Sequence, residues 1–353
     1  MDGPDRQAFF DHLSTEIVPA SRQELFERLN AAPGGTAALV DMRRELLEGL
    51  SSHPAWAAVD AELAPLLERS FTADSLRLAR IDMQTKTTVL ERIVQYEAVH
   101  PMRNRRDLER RLEADRRCYA FFHAALPDEP IIFAEIALTH GMSRNVAALL
   151  DPDSRVVDAA SCDCAIFYSI SNCQAGLRGV PFGNALIAQA VDALARQLPG
   201  LKTFATLSPV PGFRAWLTRL PESRAARGAT LTPLLENLEA PNWVENPNRA
   251  AQLQRQLLPL CAYYLLHVKQ GREPADPVAR FHLRNGARLE RINWLSDTSE
   301  AGMRRSAGLM VNYVYGIEDL RNNSVATSIA GSVRASRRLE RLSRQGALMF
   351  EAF

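Results

Sequence analysis

The chain lacks what would send it into a membrane, a disulfide-stapled scaffold or a nucleic-acid complex. No apolar run approaches the roughly 20 residues that a bilayer-crossing helix needs. Its five cysteines, Cys118, Cys162, Cys164, Cys173 and Cys261, are odd in number and irregularly spaced. One pair separated by a single residue, with no second pair near it, is neither a metal-ligand pattern nor a disulfide framework. Reduced thiols in a cytoplasm and no bound metal are therefore expected. Charge is balanced, with 42 basic against 41 acidic residues and a net charge of +1, so no nucleic-acid partner held by bulk electrostatics is expected. Lysine is scarce: Lys86, Lys202 and Lys269 are the only three. Arginine supplies the rest, a bias that suits local anion recognition and that genome composition would produce equally. The opening MDGPDRQAFFDHLSTE is unlike a secretory or transit peptide, and the closing MFEAF is no address or lipidation signal. Internal repeats and low-complexity segments are absent.

What is present is an ordinary globular composition, 46% hydrophobic and 24% charged, on 353 residues, enough for two domains with cores of their own. Roughly the first hundred residues read as all-helical. Ala38, Leu39, Met42, Leu46 and Leu50 recur at helical spacing, as do Trp56, Val59, Leu63 and Leu66. Ser21 with Glu24 and Thr88 with Glu91 have capping-box spacing. After Pro101 the segment RNRRDLERRLEADRR predicts a basic helix with a solvated face. Then β-branched and aromatic runs begin. CYAFFHAAL and PIIFAEIAL predict a hairpin, AIFYSIS a strand, ALIAQAVDALARQL a helix and LKTFATLS a strand. Strand, glycine turn, helix and strand make a βαβ unit, so part of the sheet is parallel. Residues 211–249 read as irregular, rich in Pro, Arg and Asn, and as either a lid or inserted helices. Leu253–Val268 predicts a buried helix, ARLERINWL a strand and SVRASRRLERLSRQ a closing helix.

The glycine turn, QAGLRGVPFGNALI, loosens the backbone directly before a helix. Either it is a tight turn, or it brings backbone N–H groups against an anion at a helix N-terminus. No Gly-Lys-Ser/Thr follows, so it is not a P-loop, and GxGxxG order is absent. RGVPFGNALI resembles the pyrophosphate loop of the N-acetyltransferase (GNAT) superfamily, with Arg178 and Gly183 in the first and last places. Pro181 replaces the middle glycine and has no N–H to give a phosphate. Further on, FHLRNGARLERI resembles that fold's Tyr-x-x-x-Gly-Phe segment, with His282 at the tyrosine place and Gly286 at the glycine place.

With both segments in view, the wider sequence resembles the malonyl-CoA decarboxylase family. The resembling blocks are EAVHPMRNRRDLERRL, AIFYSISNCQAGLRGVPFGNALI, LKTFATLSPVPGF and DPVARFHLRNGARLERINWLSDTSEAGMRRSAGLMVNYVYGIEDL, between about residues 95 and 320. The resemblance implies an α+β chain: an all-helical N-terminal bundle over 1–98 for oligomerisation or packing, then a GNAT-like mixed β-sheet domain flanked by helices over 99–353. It implies conversion of malonyl-CoA to acetyl-CoA and CO2, and a homo-oligomer such as a tetramer. The shorter N-terminus and the missing peroxisomal tripeptide imply a bacterial cytoplasmic enzyme. No cofactor is needed, because the thioester accepts the electrons released with CO2.

By the same resemblance the catalytic residues are Ser208, in LSPVPGF, and His282, in RFH. Ser208 would hold the carboxylate or act as proton acceptor; His282 would donate the proton, histidine being the better acid at an ordinary pKa of roughly 6.5. Arg178, Gly179, Val180, Phe182, Gly183 and Asn184 would hold the coenzyme A pyrophosphate, with N–H groups from Gly179, Phe182 and Gly183. Ser169 faces either the acyl group or the core, and Tyr315 lies near the site or simply packs. Asn285 either orients His282 or caps a turn, and Trp294 packs. Two other classes fit the residues less well: a GNAT-type acyl-CoA acyltransferase and a non-catalytic acyl-CoA sensor.

Overall fold

The helical spacing at the start of the chain becomes helices in the computed structural model, which describes residues 3–223, 231–240, 242–321 and 333–352. They cover Gly3–Thr15, Pro19–Ala31, Gly35–Gly49 and Ala57–Ser70. Each buries one stripe: Phe10 and Leu13, then Phe26, then Leu39 and Leu46, then Val59, Leu63 and Leu67. The two capping boxes do not form. Ser21 lies inside the helix that begins at Pro19, behind Val18, which makes no side-chain cap. Proline's fixed φ and missing N–H favour the first helical position, so the helix starts early. Thr88 likewise lies inside the helix Thr87–Tyr96.

One element of this region is not helical. Leu76–Ile81 forms strand β1. It pairs antiparallel with β2, Arg116–His123, from Leu76 opposite His123 to Ile81 opposite Cys118. Only the two ends of β1 are buried, so its alternation is too weak to read without the partner strand.

The remaining strands are β3, Ile132–Thr139; β4, Cys164–Asn172; β5, Thr203–Thr206; and β6, Ser208–Pro209. A small hairpin, β7 (Lys269–Gln270) and β8 (Glu273–Pro274), stands apart from β9, Arg288–Asn293, and β10, Met310–Tyr315. The main sheet runs β1-β2-β3-β4-β5-β10-β6, with β9 also on β10. It is mixed: β4 and β5 are parallel across the helix Gly183–Gln197, as the βαβ pattern predicts, while β10 is antiparallel to β5, β6 and β9. Buried helix Pro247–His267 and closing helix Arg337–Ala352 also fall where periodicity puts them. No helix among the described residues is long and apolar enough to cross a membrane.

The chain divides into two compact units. One comprises residues 1–103, 118–134 and 170–190; the other comprises 104–117, 135–169 and 191–353. In the second unit Ala137, Ile166, Tyr168, Ala205, Leu207 and Met310 share one apolar cluster.

The basic segment departs furthest from expectation. Asn104 caps a helix of only seven residues, Arg105–Arg111, and the chain enters β2 at Arg116. Arg110, Arg111, Arg116 and Arg117 are buried, not solvated. Arg110 forks onto Asp115 at 2.7 and 3.2 Å, and Arg116 reaches the same carboxylate at 2.9 Å. Arg111 pairs with Glu135. Burial pushes the Asp115 carboxyl up, but its Arg110 bond and the Arg116 charge outweigh that and hold it below the usual range. A one-dimensional charge run hides this, because the partners arrive from β3 and the turn into β2. Asp115→Ala takes the carboxylate from buried Arg116 and leaves buried Arg110 with Glu113, 2.8 Å away, and should cost ~3–5 kcal/mol in chemical denaturation. Asp115→Asn, which keeps the hydrogen-bond acceptor, should cost less.

Candidate active site

Ser208 owes its position to a break in a strand. β5 ends at Thr206, Leu207 interrupts, and β6 begins at Ser208. β10 pairs with both pieces, placing Tyr315 opposite Phe204 and Val311 opposite Ser208. Where the ladder opens, side chains complete it. Asn312 Nδ2 donates to the Thr206 carbonyl at 2.7 Å, and its Oδ1 accepts from Asn293 at 2.8 Å and Arg291 at 3.1 Å. The Tyr313 N–H donates to Thr206 Oγ1 at 3.2 Å. Buried backbone groups are thus satisfied although the strand is broken.

His282 comes from the last turn of the helix Pro277–Arg284. Its Nε2 lies 3.0 Å from Ser208 Oγ, and its Nδ1 lies 2.7 Å from the Tyr315 hydroxyl. Ser208 Oγ is also 2.9 Å from Thr206 Oγ1. Thr206, Ser208, His282 and Tyr315 therefore form one hydrogen-bonded row, and all four are buried. The Tyr313 ring stacks on the imidazole with centroids 4.6 Å apart.

Burial pulls the His282 pKa from 6.5 down to about 3 and pushes the Tyr315 phenol well up. In the unliganded protein at neutral pH the imidazole is neutral and Tyr315 is a phenol. This corrects the view of His282 as an ordinary acid: the imidazolium is disfavoured until a counter-charge arrives. The row can be polarised in two senses. In one, Thr206 donates to Ser208, Ser208 to Nε2, and Nδ1–H to Tyr315. In the other, Tyr315 donates to Nδ1, Nε2–H to Ser208, and Ser208 to Thr206.

Sequence reasoning singled out Ser208, His282 and Tyr315, and the structure brings these three together. It passed over Thr206, Asn312 and Tyr313. A usable signal was there: Thr206 precedes Ser208 by two residues, and Tyr313 precedes Tyr315 by two, the spacing of one strand face. Ser169 is buried on β4. Asn285 is the C-cap of the His282 helix; its buried Nδ2 has no hydrogen-bond partner among the described residues, and the two imidazole nitrogens face Ser208 and Tyr315, so it does not orient the ring. Trp294 packs against Trp243, centroids 5.8 Å apart.

The loop Arg178–Asn184 belongs to the other unit. Arg43, itself held by Asp60 at 2.7 Å, donates to the carbonyls of Gly176 and Arg178 at 2.8 and 2.9 Å. Gly179 has φ +94°, a conformation that favours glycine. Leu186 N–H to the Phe182 carbonyl, 3.0 Å, is the first bond closing the helix, so the N–H groups of Gly183, Asn184 and Ala185 precede its ladder. Those of Val180 and Phe182 are engaged, by the carbonyls of Leu177 and Val180, each at 3.1 Å. The expected N–H from Phe182 is therefore not available to a ligand. Arg178 is exposed, whereas the Phe182 side chain is buried.

A family model described as the malonyl-CoA decarboxylase C-terminal domain matches residues 74–350, and one described as the N-terminal domain matches 3–71. The chain belongs to the malonyl-CoA decarboxylase family. It is 38% identical to the mitochondrial malonyl-CoA decarboxylase of Anser anser anser, over 92% of this chain and 70% of that one. Against the Mus musculus mitochondrial enzyme identity is 35%, over 93% and 72%. Among solved structures, malonyl-CoA decarboxylase from Rhodopseudomonas palustris matches with a TM-score of 0.88 at 42% identity, over 97% of this chain and 86% of that one. The Agrobacterium vitis protein matches with 0.84 at 46%, over 91% and 79%. Family and fold class, a helical N-terminal region followed by a mixed sheet with helices, thus agree with the sequence reading.

The lowered pKa of His282 has a consequence for stability. Above pH 6.5 the imidazole is neutral in folded and unfolded chains alike, and its burial costs nothing in protons. Between 6.5 and about 3 the unfolded chain binds a proton that the folded one does not, so stability is lost as pH falls. The slope from this group is at most ~1.4 kcal/mol per pH unit. Denaturation midpoints across this window should fall less steeply in His282→Gln than in the parent chain.

Proposed function

We propose that the chain decarboxylates malonyl-CoA to acetyl-CoA and CO2, with the buried row Thr206–Ser208–His282–Tyr315 as its reacting centre. The observation that carries this is the 3.0 Å contact of Ser208 with His282 in a chain of this family. Loss of CO2 leaves an enolate, whose carbon must then take a proton. One proton per turnover must therefore enter from solvent. A neutral imidazole cannot give it up without becoming an anion. The arriving malonyl carboxylate supplies the missing counter-charge and raises the His282 pKa, so that proton is taken up with the substrate. When the carboxylate leaves as CO2, Nε2–H passes to carbon and the neutral imidazole returns. Ser208 holds the carboxylate, and Tyr315 receives the Nδ1–H of the imidazolium.

In this reading the loop Arg178–Asn184 holds the pyrophosphate through the first-turn N–H groups at Gly183 and Asn184 and the Arg178 side chain. Gly179 allows the turn, Val180 and Phe182 shape it, and Ser169 flanks the acyl group. The thioester needs no metal or organic cofactor. The helical N-terminal domain, 1–98, packs copies of the chain into a homo-oligomer, and the protein works in a bacterial cytoplasm.

Chelator-treated protein should convert malonyl-CoA to acetyl-CoA and CO2, and in deuterated water each product methyl should carry one solvent deuteron. Ser208→Ala and His282→Ala should each lower kcat by ~100-fold or more while coenzyme A affinity changes little. Wild-type turnover in both variants would remove this site. Calorimetry of the slow Ser208→Ala variant in buffers of different ionisation enthalpy should show net proton uptake on binding malonyl-CoA near pH 7. Acetyl-CoA, which brings no carboxylate, should take up none.

A further inference from the structure

We propose that Asp276 is a positioning residue that fixes the spacing of Ser208 and His282; this rests on the reading of that pair given above. Asp276 is buried at 1% exposure immediately before the helix Pro277–Arg284. Its Oδ1 accepts the N–H groups of Val278 at 3.0 Å and Ala279 at 2.9 Å, closing the first turn of the helix whose last turn carries His282. An N-cap needs only that oxygen. The other, Oδ2, accepts the N–H of Gly212 at 3.1 Å, 64 residues away in the turn that follows Ser208. One carboxylate thus grips the backbone on both sides of the pair.

Gly212 is shaped for this grip. A Cβ there would lie 2.2 Å from the Tyr264 hydroxyl and 3.4 Å from Asp276 Oδ2, so the turn reaches the carboxylate only without a side chain. Pro209 and Pro211 stiffen the backbone between Ser208 and Gly212, and any shift at Gly212 is carried back to the hydroxyl. On the other side the helix carries the position of Asp276 to the imidazole as a rigid arm. Releasing one end lets the two reacting groups drift, and a displacement of about 1 Å at a reacting pair can cost ~100-fold in rate.

Asp276→Asn separates the two grips. The amide oxygen still caps Val278 and Ala279, but an NH2 group now faces the Gly212 N–H. We expect kcat on malonyl-CoA, counted per coenzyme-A-binding site, to fall at least ~10-fold with KM within ~3-fold of the parent value. In a Ser208→Ala background the same change should alter the residual turnover less than ~2-fold, because spacing to a missing hydroxyl no longer matters. Gly212→Ala should repeat both results from the loop side, and it decides the matter if Asp276→Asn does not fold. Unchanged kcat per binding site would overturn the proposal. So would a loss repeated in full in the Ser208→Ala background, which would mark a general loosening. Wild-type turnover in Ser208→Ala and His282→Ala would sink the reading of the pair and this proposal with it. An inert Asp276→Asn beside an inactive Ser208→Ala overturns the tie alone.

Discussion

A buried hydroxyl or imidazole with no water to turn to must find its partner among its neighbours, or cost ~1–3 kcal/mol for each group left unpaired. The row of Thr206, Ser208, His282 and Tyr315 is built under that constraint. It dictates more than four side-chain rotamers. Thr206 and Ser208 can reach each other only because the strand opens at Leu207, and the opening is tolerable only because Asn312 and the Tyr313 N–H fill it. The register of β10, with Tyr315 opposite Phe204 and Val311 opposite Ser208, follows from the same need. Among the described residues β10 is the strand that pairs with both halves of the break, so the geometry of the row is stored in its pairing.

The second compact unit buries charge in two different ways. Arg110 and Arg116 share Asp115, and Arg111 pairs with Glu135, so each of these three guanidiniums has an anion at hand. Pairs of this kind are rigid and electrically closed. His282 has no such anion among the described residues, and burial lowers its pKa. Its partners are a serine hydroxyl, a phenol and the face of Tyr313, none of them charged at neutral pH. The difference separates structural charges from a group left open for one that comes and goes.

How much of this was legible in the sequence depends on whether the cause is local. The N-terminal helices, the βαβ unit and the two long C-terminal helices follow from periodicity, and periodicity found them. Strand β1 did not, because LRLARI earns its place only by pairing with CYAFFH. The arginine run misled because its partners depend on the fold: Asp115 meets Arg110 and Arg116 only where the chain turns into β2, and Glu135 reaches Arg111 from β3. Ser208, His282 and Tyr315 were reached through long blocks shared with a family, not from their own residue types, since a turn serine and a lone histidine are ordinary. Thr206, Asn312 and Asp276 lie inside those very blocks and were passed over. Each acts on backbone or on another side chain, and a sequence read along one dimension does not show who sits across the gap.

The absence of a fixed counter-charge also gives the proposed reaction its direction. Were a carboxylate of the protein beside His282, the imidazolium would persist after CO2 departs, and the enolate would compete for a proton already well held. With only neutral neighbours, the imidazolium depends on the malonyl carboxylate for its stability. Decarboxylation removes that carboxylate and creates the enolate in the same event, so the acid strengthens at the moment the base appears. Solvent exclusion sharpens the effect, because water would stabilise the cation after its partner had gone. A dry, uncharged row of hydrogen bonds is therefore not a weaker version of a charged triad. It suits a reaction in which the substrate brings the charge and takes it away.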